Sequence, residues 1–297
     1  MSALTRRSFL AAASAGIAAG ASTKHPAFLA TGHDTYIADT NGKRVWEYPS
    51  GSREGWVLPS GNILLAINRR PDYGGGVVEV TRDGKELFRY DGAQSEVNTV
   101  QPLPDGNILC TEAGDKPRVL EIDRKGRIVM EFAIPCQTEN HHLQTRMTRK
   151  LKNGNYMVPQ MGERKVVEYT AKGEALWSFS TPHWPFTVIE TPQGTILTTC
   201  TDSHQAREFN RKGEVVWQIS NDDLEPDILK GSCGAQRMAN GNTVFTSYQG
   251  KENEVKLFEV TPSKEVLWTY SDPNRFGIHT FQILNPDGSA LPGPTLK

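Results

Sequence analysis

The chain has 297 residues, with 33 Lys and Arg against 34 Asp and Glu, a formal charge of -1 and a charged fraction of 23%. That balance argues against a nucleic-acid partner, and no apolar run approaches the roughly 20 residues that span a bilayer. The length exceeds one ordinary core, which calls for either two domains or a repeat architecture.

In chain order, the first segment reads as an address. Thr5-Arg6-Arg7-Ser8-Phe9-Leu10 precedes an uncharged, Ala/Gly-rich stretch ending in Ala19-Gly20-Ala21, the order of parts found in an export signal. The paired arginines before Phe-Leu resemble a bacterial twin-arginine signal, which implies export in the folded state and a periplasmic or exported protein. Residues 1–21 are therefore predicted to be the signal, 22–32 a linker and 33–297 a single domain.

Two turn motifs then alternate. A Gly-Asn turn followed by apolar residues recurs at Gly61, Gly106, Gly154, Gly194 (with Thr195 for Asn) and Gly241, and more weakly at Gly288, at intervals of 40 to 48 residues. A charged turn with a large apolar residue four positions on recurs as Gly42 to Trp46, Gly84 to Phe88, Gly126 to Met130, Gly173 to Trp177 and Gly213 to Trp217. Lys264 to Trp268 follows with Lys in the glycine slot. A second apolar residue two positions later in each copy gives the alternation of a strand with one buried face. This period, with Gly, Asn and Asp turns between short strands, predicts an all-β propeller of six four-stranded antiparallel blades. Five copies also carry Glu before the charged turn, at Glu79, Glu121, Glu168, Glu208 and Glu259, and the repetition favours a structural role over a metal ring.

With strands A to D numbered outward in each blade, the Gly-Asn turn joins A to B and the charged turn joins C to D. Thr35 to Tyr48 then supplies an outer C and D strand, and Thr280 to Lys297 an inner A and B strand. Pairing these ends closes the ring and protects its edges.

Because the strands alternate in direction, the tight turns share one face and the variable B–C and D–A loops share the other, where binding concentrates on a rigid scaffold. His33, His141, His142, His183, His204 and His279 all map to the loop face. At one inward position strand A carries Arg53, Asn98, Arg146, Phe186, Cys233 and His279. Three residues on it carries Trp56, Gln101, Arg149, Ile189, Gln236 and Gln282. Such a lining suits a small anionic or polyhydroxylated ligand, with Arg53, Asn98, His142, Arg146, His183, Gln236 and Gln282 as predicted contacts and His279 as a candidate catalytic nucleophile or base. His142, His183 and His279 would also supply three imidazoles for a transition metal.

The four cysteines are widely spaced, without a C-x-x-C pair, which excludes a zinc ribbon or a thioredoxin-type motif. Cys110 and Cys200 fall in apolar strands and are predicted to be buried thiols. Cys136 and Cys233 are the pair to consider for a disulfide in an oxidising compartment.

Gly234-Ala235-Gln236-Arg237-Met238-Ala239-Asn240-Gly241-Asn242-Thr243 and His279-Thr280-Phe281-Gln282-Ile283-Leu284 resemble segments of bacterial exported arylsulfotransferase-like propellers. The Gly-Lys-x-x-Trp turns resemble the repeats of pyrroloquinoline-quinone (PQQ)-type propellers. The first resemblance implies His279 as the acceptor of a sulfuryl group, with His142, His183 and Arg146 around the sulfate oxygens. PQQ as a cofactor is disfavoured, since that resemblance implies eight blades and a calcium site that this chain does not display. The reading from a different class is a non-catalytic binding or scaffold propeller with a protein partner, using loop aromatics such as Tyr73, Trp184, Tyr248 and Phe276.

Overall fold

The computed structural model describes residues 24–297, so the twin-arginine segment lies outside the described residues. The chain forms β1 (Ala27–Gly32), β2 (Thr35–Ala38) and β3 (Arg44–Tyr48), then β4 (Ser52–Val57), β5 (Ile63–Ile67), β6 (Gly76–Val80) and β7 (Glu86–Asp91). Next come β8 (Glu96–Pro102), β9 (Ile108–Ala113), β10 (Arg118–Ile122) and β11 (Ile128–Ala133), and β12 (Arg149–Lys150), β13 (Tyr156–Gln160), β14 (Lys165–Tyr169) and β15 (Ala175–Ser180). The last are β16 (Pro185–Glu190), β17 (Ile196–Cys200), β18 (Gln205–Phe209) and β19 (Val215–Ser220), then β20 (Ala235–Arg237), β21 (Thr243–Thr246), β22 (Val255–Val260), β23 (Val266–Ser271) and β24 (Ile278–Leu284).

Each group of four from β4 onward is an antiparallel meander, and β24 pairs with β1 to complete a sixth blade in the order β24-β1-β2-β3. The result is a six-bladed propeller with four strands per blade. Closure differs in detail from the sequence reading. Ala27–Gly32, placed in the linker, forms the second strand of the closing blade, with Leu29 opposite Gln282 and Ile37. Residues after Leu284 add no second strand; they make single bridges, Leu284 to Ala290 and Arg237 to Leu296. The reason is that β1 is buried on both faces, so it lacks the alternation by which a half-buried strand is recognised.

Six apolar clusters fill the six seams between neighbouring blades. One joins Phe28 and Ile283 of the closing blade to Val244 and Tyr270, and another joins Trp56 and Leu64 to Val100 and Leu120. Burial on both blade faces supplies the main stabilisation, and the outermost strands keep their alternating exposure. Lys264 takes φ +71° at the position where the other charged turns have Gly, a left-handed conformation that Gly adopts without cost. The turn geometry is thus retained where the glycine is not.

Four of the five repeated glutamates are seam staples, while Glu259 accepts from Asn242 and Trp268 within its own blade. Glu168 accepts from Asn153 at 3.0 Å and Asn155 at 2.8 Å in its own blade and from Arg211 of the next blade at 2.6 Å. Glu79 joins Asn62 to Arg124, Glu121 takes Lys150 and Tyr156, and Glu208 takes Thr195 and Arg237. The structural reading of this glutamate series therefore holds.

Candidate anion site on the loop face

The inner strands start on the loop face, and their first residues carry the charged cluster. Three of these strands are bulged at that point: the register shifts between Ser52 and Glu54, between Val97 and Thr99, and between Pro185 and Val188. Bulges re-aim side chains beside sites, and here they carry Arg53, Asn98 and Phe186.

Glu96 is 1% exposed and is the negative centre. It lies 3.6 Å from Arg53 Nη2, 3.3 Å from Arg69 Nε and 3.1 Å from His142 Nδ1. Burial alone would raise its carboxyl, but the His142 hydrogen bond and the charges of Arg53 and Arg146 outweigh that and bring it to about 2. His142 sits in the short helical turn His141–Leu143, capped by Asn140. Its Glu96 bond favours the imidazolium, yet burial and the Arg146 and Arg53 charges win and leave its pKa below the ordinary value.

Arg146 is fully buried. Its Nη1 donates to the Thr145 carbonyl at 2.7 Å, while Nε and Nη2 have no partner among the described residues. Burial, then the neighbouring Arg53, pulls its pKa down to about 9. Arg53 Nε and Asn98 Oδ1 are likewise buried without a partner. Three guanidinium groups thus surround one carboxylate, and buried N–H donors remain unmatched, a costly arrangement unless something else accepts from them.

His279 lies in this field. Its ring packs edge-on to Phe186 at 4.7 Å and against Tyr248 at 4.9 Å. Burial, then Arg53, Arg146 and His142, hold its pKa well below that of a free imidazole, so it is neutral at physiological pH. Cys233 borders Arg146, but burial raises its thiol to about 12. Tyr248 is 39% exposed and stands at the rim.

The structure therefore gathers Arg53, Asn98, His142, Arg146, Phe186, Cys233 and His279. His183 does not join them: it packs on Trp184 with ring centroids 4.9 Å apart, its Nδ1 is buried and unpartnered, and it makes no contact with His142 or His279. Among the described residues no three His, Cys, Asp or Glu side chains are grouped to hold a metal. The predicted His142–His183–His279 metal set is therefore not assembled, and the positive field of Arg53 and Arg146 opposes a cation. Cys136 and Cys233 are both free thiols, Cys136 beside Gln144 and Gln160 and Cys233 beside Thr201, so the considered disulfide is not formed.

Gln236 and Gln282, predicted as ligand contacts, instead tie blades together. Gln236 Oε1 accepts from Ile283 N at 2.8 Å, and Gln282 accepts from Val57 N at 2.7 Å and donates to the Val57 carbonyl. Gln101 does the same to Lys150 N, and Trp56 donates to the Val100 carbonyl. This inner layer bonds backbone to side chain around the axis. Below it Glu54 takes Arg149 and Lys297, and Lys297 Nζ also donates to the Gly55 carbonyl at 2.7 Å. That lower charged group is internally satisfied, unlike the upper one.

Glu96 and Arg69 were missed by sequence reasoning. Glu96 stands two residues before Asn98, and the bulge that follows brings both to the site. An acid at an inner-strand start among arginines was the available signal.

Comparison with known proteins bears on the propeller scaffold. No protein-family profile and no curated protein matches the chain. Among solved structures, a protein of unknown function from Bacteroides caccae superposes with a TM-score of 0.77 at 26% identity, covering 86% of this chain and 98% of that one. A catalytically inactive histidine-to-alanine variant of virginiamycin B lyase from Staphylococcus aureus, with quinupristin, gives 0.58 at 13% identity over 84% of this chain and 85% of that one. The periplasmic gluconolactonase of Pseudomonas aeruginosa gives 0.58 at 13% over 83% of each. At such identities the lyase and the lactonase bear on fold alone. The chain is a six-bladed propeller, and its likeness to these structures is one of fold.

Proposed function

We propose that the loop-face cluster binds a small anionic ligand, one bearing a carboxylate, sulfate or phosphate group. The observation that carries this is Arg146: a fully buried guanidinium with Nε and Nη2 unpartnered, beside an Arg53 whose Nε is also unpartnered. An oxyanion accepts from a planar guanidinium with several oxygens at once, which accounts for donors left unmatched among the described residues. Calorimetric titration with inorganic sulfate and with galacturonate tests it. Arg146→Met should weaken binding by at least about tenfold, the scale of one lost charged hydrogen bond. Equal affinity in the variant, or no binding of either anion to the wild type, removes the reading.

A catalytic role for His279 is favoured by one further observation, its neutral ring within the same cationic field. A neutral imidazole is available as a base or nucleophile. In the sulfuryl-transfer form, an imidazole nitrogen forms a bond to sulfur as the sulfur–oxygen bond of an aryl sulfate breaks, and the phenolate leaves with the electron pair. Release of nitrophenol from 4-nitrophenyl sulfate, lost in His279→Ala, supports that form. Absence of turnover with retained sulfate binding leaves a binding protein.

Residues 1–21 are proposed to direct the folded protein through the twin-arginine route to the periplasm. Among the described residues no helix is long and apolar enough to cross a membrane.

A further inference from the structure

Beside the anion cluster lies an open cavity of about 760 Å³, lined among others by Arg69, Arg70, Tyr73, Gln94, Ser95 and Asp115. It is formed by the loop between β5 and β6 and the segments that precede β8 and follow β9. It is not a separate feature of the surface. Arg69 lines it and also reaches Glu96 at 3.3 Å. Ser95, adjacent to Glu96 in the chain, bonds His141 Nδ1 at 2.9 Å, and His141 Nε2 lies 3.3 Å from Asp115. Arg69 thus belongs to both the cavity lining and the cluster, and Ser95 and His141 are the chain neighbours of Glu96 and His142.

We infer that this cavity receives the body of an acidic oligosaccharide whose terminal carboxylate is held by Arg53 and Arg146. The inference rests on the anion reading above and extends it to a substrate class. Size is the first ground, because a single small anion occupies little of the space, whereas sites of about 300–1,000 Å³ enclose whole ligands. Chemistry is the second. Among the described residues Arg70 has no carboxylate partner and lies 5.1 Å over the Tyr73 ring, the Gln94 oxygen accepts from Lys116 N while its amide nitrogen has no acceptor, and Asp115 is 93% exposed at its side chain. The lining therefore offers both donors and acceptors. Sugar hydroxyls are donor and acceptor at once and match such a lining, while apolar peptide side chains find little there to pack against.

The test is titration of galacturonic acid, trigalacturonic acid, maltotriose and an acidic tripeptide into the wild type and an Arg70→Ala, Asp115→Ala double variant. Trigalacturonic acid should bind at least tenfold tighter than the monosaccharide, the double variant should erase that difference, and maltotriose should bind more weakly than either acid. If the monosaccharide binds and the trisaccharide is no tighter, the cavity assignment falls and the anion site stands. If only the trisaccharide binds, with affinity lost in the double variant but not in Arg146→Met, the cavity stands and the anion site falls. Failure of both acids overturns both. A length dependence seen with the tripeptide alone replaces the saccharide by a peptide.

Discussion

His142 Nδ1 lies 3.1 Å from Glu96 Oε1, and the same carboxylate faces Arg53 and Arg69. One acid therefore orients an imidazole and offsets part of a three-arginine field. Glu96→Gln should strengthen sulfate binding, because it removes the only carboxylate among those cations. It should also cost stability by about 3–5 kcal/mol, the scale for breaking a buried charged network. Titration and urea unfolding on the same preparation read both changes, and weaker anion binding in the variant would show that Glu96 serves the ligand through His142.

Arg146→Met should lose anion affinity and at the same time raise the thermal midpoint. A buried guanidinium with two unpartnered nitrogens is a stability cost that an apolar side chain of similar length relieves. A fall in the midpoint together with lost binding would instead make Arg146 a structural residue.

The pH dependence follows from His279 and Glu96. His279 is held neutral in the fold, with its pKa well below the free value. The unfolded chain binds this proton near pH 6.5 and the folded one does not, so stability falls as pH drops below about 6.5. Glu96, at about 2 in the fold against an ordinary 4.5, contributes stability in full above the ordinary value and loses it as pH falls toward 2. Urea midpoints between pH 8 and 5 should therefore decline in the wild type and decline less in His279→Asn. Parallel curves would assign the decline to other groups.

The staples give an asymmetric pair. Glu168→Ala leaves Asn153, Asn155 and Arg211 without their shared acceptor and should destabilise by about 1–3 kcal/mol. Arg211→Ala removes a half-exposed partner and should cost under about 1 kcal/mol. Equal costs in denaturant unfolding would mean that the cross-blade ion pair, rather than the asparagine bonds, dominates.

For export, Arg6→Lys with Arg7→Lys should hold the protein in the cytoplasm, read by fractionation. Unchanged periplasmic recovery would exclude the twin-arginine route.

The architecture was legible because the turns repeat: Gly61, Gly106, Gly154, Gly194, Gly241 and Gly288 all adopt φ between +79° and +89°, and that requirement is visible as glycine in the sequence. The inward column led to Arg53, Arg146 and His279 for the same reason. Gln236 and Gln282 misled because an inward amide serves a neighbouring backbone as well as a ligand, and composition does not distinguish the two. Glu96 and Arg69 escaped because a bulge and a loop, neither periodic, bring them to the site. β1 escaped because it is buried on both sides.

Ring closure carries a consequence for biogenesis. In the closing blade Leu29 lies between Ile37 and Gln282, so one flank of β1 has no native neighbour until almost the whole chain has been made. The blade containing the earliest described strand is thus among the last to be completed, and long-range pairing of this kind is slow. A ribosome-bound chain must therefore carry an open, pairing-competent edge throughout synthesis, and the same late pairing is the event by which a quality-control step could distinguish a finished ring from an unfinished one.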